Sequence, residues 1–126
     1  AALRAVRYLW DNPAPGVKQE QLLASAAKLL RQGDIADLVI EDLRKWQRWE
    51  FAEQIFGLYS RPSHSVPICQ RAILRYALSC AQHAQGKPAE LARAFLAERR
   101  KEDPNRVRDV EELLKFDDQL SKPAGR

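Results

Sequence analysis

Apolar residues recur at spacings of three and four along almost the whole chain, and proline or glycine stands at most points where this recurrence stops. Such spacing is typical of amphipathic helices that bury one face. No segment shows a sustained alternation of apolar and polar residues, which a half-buried β-strand would require. Glycine accounts for only 5 of the 126 residues, whereas the helix formers Ala, Leu, Arg, Glu and Lys are abundant. The sequence therefore predicts an all-α fold.

About seven helices are predicted. The clearest break between them is residues 12–16, where two prolines and a glycine cannot continue a helix. Asp34, Ser65 and Asp103 are expected to cap the third, fifth and seventh helices, since a side-chain oxygen there accepts from free backbone N–H groups. Gly33 is expected to end the second helix in the left-handed conformation. The apolar stripe changes phase within residues 45–48, which predicts a tight corner between the third and fourth helices.

Short connections make neighbouring helices run roughly antiparallel, as in helical hairpins. Residues 4–8 (RAVRY) resemble residues 71–76 (RAILRY), at an offset of 67 residues. This offset fits two hairpins of about 34 residues each, a length typical of helical repeats. The sequence thus favours an α-solenoid of stacked hairpins, with a closed helical bundle as the alternative.

The side chains suited to soft-metal or nucleophilic chemistry are Cys69, Cys80, His64 and His83. The two cysteines lie three turns apart on one predicted helix, about 16 Å, which is too far for a shared zinc ion or a disulfide. We therefore expect two buried free thiols and no metal. Cys80 and His83 share a helix face and form a conceivable nucleophilic pair, but no third group orients the histidine. Without a phosphate loop or other catalytic motif, the sequence predicts neither a cofactor nor an enzyme.

The charge pattern leaves nucleic-acid binding open as an alternative. The net charge is +4, with 21 basic and 17 acidic side chains interleaved. Binding to phosphates would need rows of basic side chains without acidic neighbours, together with exposed stacking aromatics. The aromatic residues fall instead in the apolar stripes and are predicted to lie in the core: Trp46, Trp49, Phe56, Tyr59 and Tyr76. The arginines that would form a basic surface are Arg44, Arg48, Arg71, Arg75, Arg99 and Arg100.

The chain is expected to be a fragment of a longer protein, since it has no methionine and opens on a helix-like segment. Residues 1–118 are predicted to form a single domain, and residues 119–126 a flexible tail. The first 11 residues carry more apolar surface than one neighbouring helix covers, so an upstream repeat is expected to stack on them. Residues 104–117, rich in charge, are expected to close the array. The apolar runs are too short to span a membrane.

Several segments together resemble a known group of proteins: DLVIEDLRKW (37–46) with Arg48-Trp49 and Leu58-Tyr59, Val66-Pro67-Ile68 before RAILRYAL (71–78), Phe95-Leu96, Arg99-Arg100 and Glu102-Asp103-Pro104. The pattern resembles the C-terminal helical-repeat region of long bacterial proteins with HEAT-like repeats, over most of residues 1–118. The resemblance implies an α-solenoid and an exported, periplasmic location. It carries no catalytic motif, so it assigns no functional residue.

The function predicted from the sequence is a non-catalytic interaction or scaffold module, because solenoids present extended surfaces rather than closed pockets. Its expected partner is a protein, either another chain or the upstream repeats of the same one. A nucleic-acid-binding repeat and an enzyme that uses Cys80 and His83 remain the alternatives.

Overall fold

A computed structural model describes residues 2–121, and within this range it contains helices and turns but no β-strand. The all-α prediction is confirmed, including the number of helices. Two short 3₁₀ turns, Trp49–Phe51 and Pro62–His64, precede the fourth and fifth helices. The seven helices are α1 (Ala2–Asp11), α2 (Gln19–Leu29), α3 (Ala36–Lys45), α4 (Ala52–Leu58), α5 (Pro67–His83), α6 (Lys87–Glu102) and α7 (Pro104–Ser121).

One of the three predicted helix caps is confirmed. The carboxylate of Asp103 accepts a hydrogen bond from the N–H of Arg106 at 3.1 Å, in the first turn of α7. The caps predicted at Asp34 and Ser65 are wrong, because α3 and α5 each take the following residue as their cap, without a side-chain hydrogen bond. The hydroxyl of Ser65 donates instead to the carbonyl of Pro62, within the preceding 3₁₀ turn.

The predicted corner at residues 45–48 is present and has a well-defined geometry. Helix α3 ends at Lys45, and Gln47 then adopts a left-handed conformation with φ of 56°. The N–H of Gln47 donates to the carbonyl of Arg44, and that of Arg48 to the carbonyl of Leu43, both at 3.0 Å. This pair of bonds is a Schellman motif, which satisfies carbonyls at the helix end and turns the chain sharply.

Gly33 does not have the left-handed conformation predicted for it, which among the described glycines belongs to Gly16 and Gly86. Its position is instead fixed by close packing. A Cβ atom on Gly33 would lie 1.9 Å from the backbone carbonyl oxygen of Ser63. The turn after α2 and the 3₁₀ turn before α5 therefore meet backbone to backbone, and only glycine leaves room for this contact.

Helices α1 and α3 run side by side in the same direction, and so do α3 and α5. Helix α5 is central, packing against α3, α4, α6 and α7. Along both α1–α3 and α3–α5 the contacts advance in the same sense on the two helices. Arg7 pairs with Asp42 and Trp10 stacks on Trp46. Between α3 and α5, the charge of Asp37 acts on Cys69, and one turn later Glu41 pairs with Arg75.

Two buried clusters share α5. One joins side chains of α1 through α5 with Ala92 of α6, and the other joins α5, α6 and α7. The predicted core placement of the aromatics is confirmed, since Tyr76 is fully buried and the other four pack partly buried against these clusters. The phenol of Tyr76 donates to the carbonyl of Arg48 at 2.7 Å, which ties α5 to the corner after α3.

The C-terminal end of the described chain is helical for longer than predicted. Helix α7 continues to Ser121 and so includes residues 119–121 of the predicted tail. The rest of that tail, residues 122–126, lies outside the described residues. Within the described range, none of the helices combines the length and the apolar character that a membrane span requires.

Candidate functional site

Cys69 and Cys80 are both buried inside α5 as free thiols, in agreement with the prediction. Burial raises the pKa of Cys80 to about 11, and burial followed by the charge of Asp37 raises the pKa of Cys69. Both thiols therefore remain protonated at neutral pH, the form that is a poor nucleophile. His83 is exposed whereas Cys80 is buried, so the structure does not assemble the pair considered from the sequence. Residues 2–121 contain no cluster of three or more potential metal ligands.

His64 has a structural position that the sequence did not reveal. Its side chain is buried, with Nε2 2.7 Å from the carbonyl oxygen of Leu30 and Nδ1 2.7 Å from the hydroxyl of Ser63. Because a carbonyl only accepts, Nε2 carries the proton in this arrangement, and Nδ1 accepts from Ser63. His64 thus satisfies a carbonyl at the end of α2 and fixes the 3₁₀ turn against it.

Most of the predicted basic surface is neutralised by carboxylates. Arg71 alone among the six arginines makes no ion pair within the part of the chain that the structure describes. Isolated phosphates would have to displace these carboxylates in order to bind. The pairs are Arg44 and Arg75 with Glu41 (3.0 and 2.8 Å), Arg48 with Glu50 (2.7 Å), Arg99 with Glu102 (3.1 Å) and Arg100 with Glu111 (3.7 Å).

Glu41 is the most connected of these carboxylates. One of its oxygens accepts from Arg44 on the same helix, and the other accepts from Arg75 on α5. All three side chains are mostly buried, so solvent screens the interaction less than on an open surface. Two arginines of the predicted basic surface, Arg44 and Arg75, therefore stabilise the contact between α3 and α5 through Glu41.

The aromatic side chains near Arg99 are also engaged within the molecule. The Arg99 guanidinium lies 4.8 Å from the ring centre of Tyr59 and 5.1 Å from that of Phe95. Phe95 in turn stacks on Phe56 at 4.6 Å. This cluster joins α4 to α6 and presents no free ring to a nucleic-acid base.

Helix α1 is better covered than predicted. Leu3 and Val6 are buried, and Trp10 stacks on Trp46 with ring centres 4.2 Å apart. Tyr8 is the large hydrophobic residue of α1 that is exposed. Helices α2 and α3 together cover this face of α1, and the stacking of an upstream repeat on residues 1–11 stays a prediction.

Helix α7 exposes an apolar stripe instead. Leu113, Phe116 and Leu120 are 56%, 58% and 69% exposed, and their spacing of three and four places them on one side of the helix. The opposite side buries Val107, Val110 and Leu114 against α5 and α6. Charged side chains of α7 are also exposed, as predicted, among them Arg108, Asp109 and Glu112, but they share the surface of the helix with this apolar stripe. The spacing of Leu113, Phe116 and Leu120 is the signal in the sequence that could have predicted this stripe.

The segment that carries this stripe differs in the sign of its net charge from the whole chain. Residues 109–120 contain five carboxylates and one lysine, a formal charge of −4 on a chain of net charge +4. On another side of α7, a groove of about 1010 Å³ runs between α5, α6 and α7, with Leu78, Leu96 and Leu114 among its lining residues. Helix α7 is therefore an acidic amphipathic element with two surfaces open to solvent.

Comparisons with protein-family models, with curated proteins and with solved structures found no match to this chain.

Proposed function

We propose that this chain is a non-catalytic α-helical repeat module that binds another protein. The observation that carries the proposal is the exposed apolar stripe Leu113–Phe116–Leu120 on α7. Contiguous exposed apolar residues with polar surroundings are typical of protein–protein contact sites. Helix α7 is held firmly in place, since three side chains on its other face are buried against α5 and α6.

The spacing of contacts supports stacked hairpins rather than a closed bundle. Arg7 and Asp42 are 35 residues apart, whereas Glu41 and Arg75, like Leu30 and His64, are 34 apart. A recurring separation of this size is expected when two-helix units of about 34 residues stack on one another. It also agrees with the offset of the RAVRY and RAILRY segments, which is about two such units.

The state of the arginines favours a protein partner over a nucleic acid. Five of the six arginines considered for a basic surface are already paired with carboxylates. The apolar stripe on α7 lies in an acidic segment, which repels phosphates. A basic groove that binds nucleic acid remains the competing function.

The proposal is tested by two measurements on the same preparation. Chemical cross-linking of the tagged chain in extract of its source organism, followed by mass spectrometry, should recover a reproducible protein partner, with the heat-denatured chain as the control. Filter binding to random-sequence RNA and DNA should show weak affinity, even at low salt. Tight binding that falls steeply as salt rises would instead support the nucleic-acid alternative.

A further inference from the structure

We infer that the outer face of α7 binds an amphipathic helix that carries basic residues beside its apolar side. The outer face is defined here as Leu113, Phe116 and Leu120 with the neighbouring Asp109 and Glu112. This inference rests on the proposed function and specifies the chemistry of the partner.

The apolar part of the outer face has the repeat of a helix-docking surface. Leu113, Phe116 and Leu120 span two turns of α7, about 10 Å along its axis. A partner helix that inserts residues at spacings of three and four would place its anchors between these side chains. Helix α7 is helical from Pro104 to Ser121, so it offers no strand edge for an extended peptide.

The charged part of the outer face selects the sign of the partner. Asp109 lies four residues before Leu113, and Glu112 lies four residues before Phe116, so each carboxylate is adjacent to an apolar anchor on the helix surface. Both carboxylates are exposed. Lysine or arginine at the edges of a docked helix would meet them, whereas glutamate at those positions would be repelled.

The same charges argue against a second copy of this chain as the occupant. Two α7 helices packed through their outer faces would bring the exposed carboxylates Asp109 and Glu112 of one copy close to those of the other. Like charges placed across an interface lower affinity and slow association. A basic helix from another protein removes this repulsion.

The test uses two synthetic peptides with the same leucine pattern of a helix, one with lysine and one with glutamate at the flanking positions. Fluorescence anisotropy measures the binding of each peptide to the full chain. At low salt, the lysine peptide should bind at least roughly tenfold more tightly than the glutamate peptide. That difference should shrink as the salt concentration rises. Equal affinity for the two peptides would overturn the inference.

Two pairs of substitutions locate the binding site. Leu113→Ser with Phe116→Ser should weaken the lysine peptide by roughly tenfold or more. The matched control, Val66→Ser with Ile68→Ser, changes two other half-exposed apolar residues and should leave affinity unchanged. Circular dichroism should confirm that both proteins keep their helix content. Unchanged binding to the α7 variant would place the site elsewhere.

Charge reversal supplies an independent check that does not alter the apolar residues. Asp109→Lys with Glu112→Lys should reverse the preference, so that the glutamate peptide binds more tightly. Light scattering decides the remaining case: a dimer that Phe116→Ser converts to a monomer would identify a second copy as the occupant and overturn the inference. If cross-linking recovers a protein partner while the peptides fail these tests, the proposed function stands and this inference alone is wrong.

Discussion

Gly33 shows how a single residue holds two connections together, because its missing side chain leaves space for the carbonyl of Ser63. Gly33→Ala is expected to lower the free energy of unfolding by about 1–3 kcal/mol, since the backbone of the adjacent turn must move. Gly57→Ala is the matched control. No atom lies within 4 Å of the added methyl group there, and alanine in helix α4 should stabilise the protein by about 0.5–1 kcal/mol. Urea denaturation of both variants measures the difference, and equal effects would contradict this account of Gly33.

Cys80 should make stability depend on pH in the alkaline range. Its pKa is raised from 9.0 to about 11 by burial. The contribution of the protonated Cys80 thiol to the free energy of unfolding is fully present below pH 9, where the thiol is protonated in both the folded and the unfolded protein. This contribution is lost as the pH rises towards the folded pKa. The free energy of unfolding should therefore fall between pH 9 and about 11. Cys80→Ala should make this fall shallower but not abolish it, since the pKa of Cys69 is raised too. An identical pH profile in the variant would be the contradicting result.

At the scale of the elements, the sequence predicted what depends on local periodicity. The number of helices and the corner after α3 follow from apolar spacing and its change of phase. The caps at Asp34 and Ser65 failed because the choice of helix start depends on competing local bonds, such as that from Ser65 to Pro62. The outer stripe of α7 was not predicted. Leu113 and Leu114 are adjacent in the chain but point about 100° apart on a helix, so that Leu114 is buried and Leu113 is exposed.

The ion pairs between helices could not be predicted, because they depend on which distant segments meet. Glu41 and Arg75 are 34 residues apart, and only the stacking of α3 on α5 brings them together. The same holds for His64, whose partner Leu30 is equally far away in the chain. The sequence therefore indicated the arginines of the candidate surface but not the carboxylates that neutralise five of them.

Glu41→Gln tests whether this carboxylate stabilises the contact between α3 and α5. The substitution keeps the shape of the side chain but leaves Arg44 and Arg75 without their charged partner. We expect a loss of about 1–3 kcal/mol in the free energy of unfolding, as for hydrogen bonds between partly buried charged groups. Glu98→Gln is the control, because its pair with Lys101 is exposed and should contribute under about 1 kcal/mol. Thermal and urea unfolding of the two variants should differ accordingly.

At the scale of the whole molecule, the two buried clusters decide how far a local defect spreads. Helix α5 contributes buried side chains to both clusters, whereas α1 and α2 belong to one cluster and α7 to the other. In an array of stacked units, stability is approximately the sum of each unit and its interfaces with neighbours. A closed bundle with one cooperative core would lose stability everywhere at once.

Leu114→Ala distinguishes these two architectures. Leu114 is 4% exposed and belongs to the cluster between α5, α6 and α7, so its truncation should cost about 2–5 kcal/mol locally. Native-state hydrogen exchange should show the opening free energy of amides in α6 and α7 falling by this amount. Amides in α1 and α2 should change much less, because their packing partners are in the other cluster. An equal fall in the slowest amides of all helices would show that the molecule opens as one unit, and the stacked-repeat architecture would then be wrong.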